Sequence, residues 1–206
     1  MLVHLRSENF SNHYLRYIDQ DPVHSLTDTR NLERRCRYDR NIFFWIENNV
    51  PVGVLCVAYT NCLPDSIDTI LDVNSPVNLS ATHAIFYSVF RTNENTDTLN
   101  VGAKLIREAS QWIKLNMSHI KNYVTMSPIP NLSAHFPEPP SMEAIIEFLR
   151  AQKDPVAKFH IRNGARILRI IPNADNSERR RAQSYSAMVN YDYTPNIFES
   201  QESINN

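Results

Sequence analysis

Three glycines in 206 residues, at Gly53, Gly102 and Gly164, set the tightest constraint on what this chain can fold into. A loop that wraps phosphate in the Walker or dinucleotide manner needs several glycines within a few positions. Only a residue without Cβ takes the required left-handed turns and lets backbone N–H groups close on a ligand. Such loops are excluded by count, and each remaining glycine marks a special place. Gly53 falls in a hairpin, Gly102 at a loop-to-helix junction and Gly164 just after a helix.

The formal net charge of -1 lacks the basic excess that a nucleic-acid backbone rewards, so nucleic acid is not expected as a partner. Cys36, Cys56 and Cys62 are odd in number and show no C-x-x-C spacing, which predicts neither a disulfide framework nor a zinc site and suits a reducing, cytoplasmic setting. His13, His83, His119 and His135 also lack the spacing of metal ligands. His4, Arg6 and Glu8 interrupt the N-terminal apolar residues, so no signal peptide is expected there. No segment approaches the roughly 20 apolar residues of a membrane span, and no membrane association is expected. The last residues, Ser203 to Asn206, carry no prenylation or peroxisomal signal.

Segments 42–47 and 52–59 are rich in β-branched and aromatic residues. Asn48-Asn49-Val50-Pro51 lies between them, which predicts a β-hairpin. A short amphipathic piece follows at 66–71, and the near-continuous apolar run 82–90 suits a central strand covered on both faces. Apolar residues at Val101, Leu105, Ile106, Ala109, Trp112 and Ile113 form one face of a helix expected to begin at Gly102. A strand over 122–126 should end at Ser127-Pro128-Ile129-Pro130, where the prolines oppose helix and ladder pairing alike. Ser141 caps a helix running to Leu149. Asp154-Pro155 starts another and Asn163-Gly164 stops it, placing His160 in its second turn. Strands over 165–171 and 186–193 are expected, joined by a polar loop carrying Arg179-Arg180-Arg181, with Asp175 capping a turn. Residues 1–193 thus read as a single domain and 194–206 as a polar, disordered tail. The element order is that of an α/β, GNAT-like (GCN5-related acetyltransferase) fold, a mixed, mostly antiparallel sheet flanked by helices. In that fold a helix N-terminus after the central strand holds a thioester's pyrophosphate on backbone N–H groups.

Four motifs then stand out: Ala84-Ile85-Phe86-Tyr87-Ser88; Ser127-Pro128-Ile129-Pro130; Pro155-Val156-Ala157-Lys158-Phe159-His160 with Asn163-Gly164-Ala165; and Met188-Val189-Asn190-Tyr191-Asp192-Tyr193. Through them the chain resembles the malonyl-CoA decarboxylase family, over its C-terminal catalytic domain, with a weaker likeness reaching back to His24 and Arg34-Arg35-Cys36. The family's segment between the Ser-Pro-Ile-Pro and Phe-His motifs is much shortened here. Asn95 and Thr98 stand where the family is glycine-rich, and Asn100 where it has a glutamate, with Gly102 retained.

The resemblance implies decarboxylation of a malonyl or methylmalonyl thioester, on CoA or on an acyl carrier protein. Ser127, His160 and Tyr193 are the implied catalytic residues, and Asn100, Gly102, Asn163 and Asn190 the implied substrate- or CoA-binding ones. Loss of CO2 leaves an enolate, which calls for a dry carboxylate pocket, donors for the oxyanion and a proton for carbon. A hydroxyl, an imidazole and a phenol meet those needs. No cofactor is expected, because the thioester is the electron sink. Taken alone, Ser127 reads as a strand-end serine tightening the turn before Pro128, His160 as a partly buried histidine bound to a carbonyl, and Tyr193 as a strand aromatic. Their falling together on one family's motifs favours the catalytic reading. The arginine run reads as a solvated loop rather than a phosphate steerer. The alternatives are a GNAT-type acyltransferase with His160 as base, and a non-catalytic thioester binder. The sequence leaves oligomeric state open.

Overall fold

The structure, a computed structural model, describes residues 1–5, 12–24, 29–92 and 99–199. In chain order the first elements are β1 (Leu2–Leu5), α1 (Asn12–Ile18), α2 (Thr29–Arg35), β2 (Arg40–Glu47), β3 (Val50–Thr60), α3 (Ile67–Leu71), β4 (His83–Arg91) and α4 (Val101–Asn116). There follow β5 (Asn122–Thr125), β6 (Ser127–Pro128), α5 (Leu132–His135), α6 (Met142–Arg150), α7 (Pro155–Arg162), β7 (Arg166–Ile171), α8 (Glu178–Ser184), β8 (Met188–Asp192) and α9 (Thr194–Glu199). The chain divides into two compact units, Met1–Leu63 with Leu71–Tyr123, and Pro64–Ile70 with Val124–Asn206. Asn95 and Thr98 lie outside the described residues. Among the described residues no helix is long and apolar enough to cross a membrane.

In the first unit β1, β2, β3 and β4 pair antiparallel in that order. The hairpin joining β2 to β3 turns on Asn48 and Asn49, with φ 49 and 64. Positive φ at both central residues is the turn whose twist matches the strands, and asparagine tolerates it better than most residues. The helix α4 opens at Val101, one residue ahead of the expected start, and buries Val101, Leu105, Ile106, Ala109 and Ile113. Trp112 packs edge-on against Phe43, with ring centroids 5.6 Å apart. A Cβ at Gly53 would collide with Val101 Cγ1 and stand 3.0 Å from Leu105 Cδ1, so glycine is what lets α4 approach β3 closely. Gly53→Ala is therefore expected to cost about 1–3 kcal/mol by overpacking, read as a lowered urea midpoint at unchanged m-value.

The sequence periodicity predicts neither α1 nor α2; α1 buries Tyr17 and Ile18, and α2 carries two buried ion pairs. Arg35 Nη1 lies 2.9 Å from Asp21 Oδ2, and Arg34 Nη1 lies 2.7 Å from Asp39 Oδ1. Asp21 also accepts from Ser88 Oγ at 2.8 Å and from the backbone N–H of Val23 and His24. The weaker family likeness around His24 and Arg34-Arg35-Cys36 thus falls on an internal polar network.

In the second unit β8 is the central strand. It pairs antiparallel with β7 on one side, and with β5 at Val124↔Asp192 and β6 at Ser127↔Val189 on the other. Pro128 is in register with Met188, contrary to the expectation that the prolines end ladder pairing. β6 lies at the end of the strand path, where a missing N–H can be tolerated. The residues 178–184 form a helix rather than a loop. Ser177 Oγ caps it by accepting from Arg180 N, and Asp175 Oδ1 accepts from Ser177 N. Arg180 is buried beside Asp175, so the arginine run is not solvated throughout; Arg179 and Arg181 are exposed. The chain after Tyr193 also departs from expectation over its first residues. Asp192 Oδ1 accepts from Thr194 N at 2.9 Å, and α9 then follows through Pro195. Asn196 packs against Gly164, whose φ of 85 no other residue type adopts as readily. Residues 200–206 lie outside the described residues.

Candidate active site

Three separate local signals in the second unit aim side chains at one another. Residues directly opposite in an antiparallel pair share a face of the sheet, as do alternate residues of one strand. Ser127, opposite Val189, therefore stands on the same face as Tyr191 and, just past the strand end, Tyr193. His160 comes from α7. That helix is held by Asp154, whose Oδ1 accepts from Val156 N at 2.8 Å and Ala157 N at 3.1 Å, with Pro155 at the first position. Burial along α7 recurs at Ala157 and His160, one turn apart, so the imidazole is on the inward face.

These residues meet in a continuous hydrogen-bonded line. Ser127 Oγ is 3.1 Å from His160 Nε2, and His160 Nδ1 is 2.9 Å from the Tyr193 hydroxyl. Ser127 Oγ donates to Thr125 Oγ1 at 2.9 Å, and Thr125 Oγ1 accepts also from Tyr191 N at 3.1 Å. The site is dry: Ser127, His160 and Tyr193 are 5%, 3% and 4% exposed. Burial pushes the His160 pKa down to about 3 and raises the Tyr193 phenol above its ordinary value. His160 is thus a neutral imidazole, with one ring N–H and one ring acceptor. In the tautomer with the proton on Nε2, His160 donates to Ser127 Oγ and its Nδ1 accepts from the Tyr193 hydroxyl, which leaves the Ser127 hydrogen for Thr125 Oγ1.

Sequence reasoning missed two members of this arrangement. Thr125 is an ordinary strand residue by sequence. Tyr191 lies in a recognised motif, and its ring stacks on His160 with centroids 4.6 Å apart and planes 25° apart. Strand alternation was the available signal, since residues 191 and 193 share a face. Asn190 is fully buried, with its amide committed to the fold: Nδ2 donates to Thr125 O at 2.6 Å and Oδ1 accepts from Arg169 Nε at 2.8 Å. Asn163 is the exposed C-cap of α7, and its Nδ2 donates to Phe159 O at 2.8 Å. Asn100 and Gly102 belong to the first unit. Asn100 precedes α4 with φ 60 and makes no side-chain cap, while its carbonyl accepts from Lys104 N at 3.0 Å; Gly102 is in the first turn. Among the described residues no group of three or more His, Cys, Asp or Glu is placed to hold a metal ion.

The mixed, mostly antiparallel sheet flanked by helices is a GNAT-like fold. A GNAT-like decarboxylase, GphF, solved in complex with isobutyryl-CoA, matches 93% of this chain and 97% of its own at 15% identity and TM-score 0.67. The malonyl-CoA decarboxylase of Agrobacterium vitis matches 98% of this chain and 62% of its own at 24% identity and TM-score 0.82. By sequence, the mitochondrial malonyl-CoA decarboxylase of Anser anser anser is 25% identical over 85% of this chain and 48% of its own length. The profile of the malonyl-CoA decarboxylase C-terminal domain matches residues 11–152 and 143–204, and the chain belongs to that family. It spans about half the length of the curated relatives it matches.

Proposed function

We propose that this chain is a carboxy-lyase that removes CO2 from a malonyl thioester, carried on CoA or on the phosphopantetheine of an acyl carrier protein, with Ser127, His160 and Tyr193 as its catalytic residues. The observation that carries the reading is the hydrogen-bonded line that joins Tyr193, His160 and Ser127 in a buried site. The malonyl carboxylate leaves as CO2, and the electrons of the broken C–C bond enter the thioester as an enolate. Ser127 swings its hydrogen from Thr125 to that enolate, strengthened as a donor by the N–H it accepts from His160. Delivery of the Ser127 proton to the α-carbon is followed by transfer from Nε2 to Ser127 and from the Tyr193 phenol to Nδ1. Solvent returns a proton to Tyr193, and loss of the Nδ1 proton with gain of one at Nε2 restores the starting tautomer of His160. The balance is one malonyl thioester plus one proton giving one acetyl thioester and one CO2, and a methylmalonyl thioester would give the propionyl product in the same way.

The raised Tyr193 pKa suits this order, because the phenol keeps its proton until a strong base such as the enolate draws on the line. An acyltransferase using His160 as general base is disfavoured. Efficient base catalysis needs a pKa near the working pH, and His160 is held at about 3. A cytoplasmic setting is part of the same proposal, in keeping with Cys36, Cys56 and Cys62 being free thiols.

The test is to incubate the purified chain with malonyl-CoA, and separately with malonyl carrier protein, each labelled in the free carboxyl, while following released CO2 and acyl mass. Labelled CO2 with an acetyl product on either carrier is the expected result. Release no faster than without protein on both carriers would sink the proposal.

A further inference from the structure

Asp154 does more than start a helix. Its side chain is completely buried, and the same carboxylate serves two segments. Oδ1 accepts from Val156 N and Ala157 N, which opens α7 six residues before His160. Oδ2 accepts from Asn131 N at 3.1 Å, and Asn131 is four residues after Ser127, beyond Pro128-Ile129-Pro130. Two prolines leave that connection little freedom, so fixing Asn131 limits where Ser127 can stand. α7 is short and rigid, so fixing its first turn fixes His160. One carboxylate therefore pins both sides of the 3.1 Å contact between Ser127 Oγ and His160 Nε2.

We propose that Asp154 is a positioning residue, which sets the Ser127–His160 contact by holding Asn131 and the start of α7 on one carboxylate. It touches none of the reacting atoms. The proposal rests on the reading of Ser127 and His160 as the reacting pair, but its geometric half stands independently of any activity. The Oδ2 link, not the cap, is what distinguishes Asp154 from an ordinary helix start. Ser141 on α6 is such an ordinary start, with Oγ accepting from Ala144 N and no second segment attached.

Three variants separate these roles. Asp154→Asn keeps an acceptor for the Val156 and Ala157 N–H groups but turns an NH2 toward the Asn131 N–H. Asp154→Ser keeps a shorter cap that does not reach Asn131. Ser141→Ala removes a cap elsewhere. The first readout is the ring-nitrogen NMR of His160 in chain labelled at histidine, which reports the Nε2 hydrogen bond without any substrate. The second is the kcat and KM of CO2 release. In Asp154→Asn and Asp154→Ser the His160 Nε2 signal is expected to move, and kcat to fall about 10–100-fold with KM changed less than threefold, as misplacement of a reacting group by about an ångström does. Ser141→Ala should lower stability and leave both readouts as in the parent. Unmoved His160 signals in both Asp154 variants overturn the proposal, as does a kcat loss matched by Ser141→Ala at equal loss of stability. A parent chain that releases no CO2 overturns the decarboxylase reading instead, and the His160 signals still decide whether Asp154 sets the contact.

Discussion

Replacing His160 by glutamine is expected to lower the rate of CO2 release by about 10²–10⁴-fold, the range that one positioned proton-transfer group supplies. Glutamine can fill much of the space and still donate to Ser127, so hydrogen bonding at the serine end survives in part. It cannot take up a proton at one atom while releasing one at another, which the imidazole does between Tyr193 and Ser127 at 2.9 and 3.1 Å. The loss should fall equally on kcat and kcat/KM, because His160 acts on the developing enolate and not on the carrier. Single-turnover measurements with malonyl-CoA and malonyl carrier protein would check it. A variant within threefold of the parent would remove His160 from the chemistry.

The second large effect is on stability and needs no substrate. An unfolded histidine binds its proton near pH 6.5. The buried imidazole of His160 binds one only near pH 3. Between those values the unfolded chain carries one more proton at this residue, so acid favours unfolding. The stabilisation is complete above about pH 6.5 and is lost progressively as pH falls toward 3, at up to about 1.4 kcal/mol per pH unit and no more than about 5 kcal/mol across the window. Urea midpoints at pH 7, 6, 5 and 4 should therefore fall more steeply for the parent than for His160→Gln, with a difference corresponding to one proton. Equal slopes would mean that His160 is hydrated and titrates in the folded chain. The same shift predicts that CO2 release shows no limb near pH 6.5 due to His160, which stays uncharged from pH 5 to 8.

Much of the second unit could be read locally. Asp154-Pro155 and Asn163-Gly164 delimit α7 to the residue. Ser141 caps α6, and the alternation of β8 is plain in Met188 to Tyr193. The GNAT-like class followed from the element order, and the family from motifs that fall on β6, α7 and β8. Elements whose stability is not local were misread or unread. The short helix α2 has its Arg34 and Arg35 paired with Asp39 and Asp21, both outside the helix. The helix α8 looked like a charged loop, because the partner of Arg180 is Asp175, outside the helix itself. Thr194–Glu199 looked like a loose tail, because Asn196 meets Gly164 across 32 positions of sequence.

By itself the sequence determined the start of α6, both ends of α7, the hairpin turn, the faces of β8 and the three chemical groups on offer. A cap, a turn or an alternating strand is settled by residues within a few positions of one another. Only the tertiary structure decided that His160 touches both Ser127 and Tyr193, each 33 residues from it, and that Asp154 reaches Asn131 as well as its own helix. The protonation state of His160 was decided there too, since an imidazole titrates according to the water it has lost. Tyr191 and Tyr193, 31 and 33 residues away in the sequence, close around it.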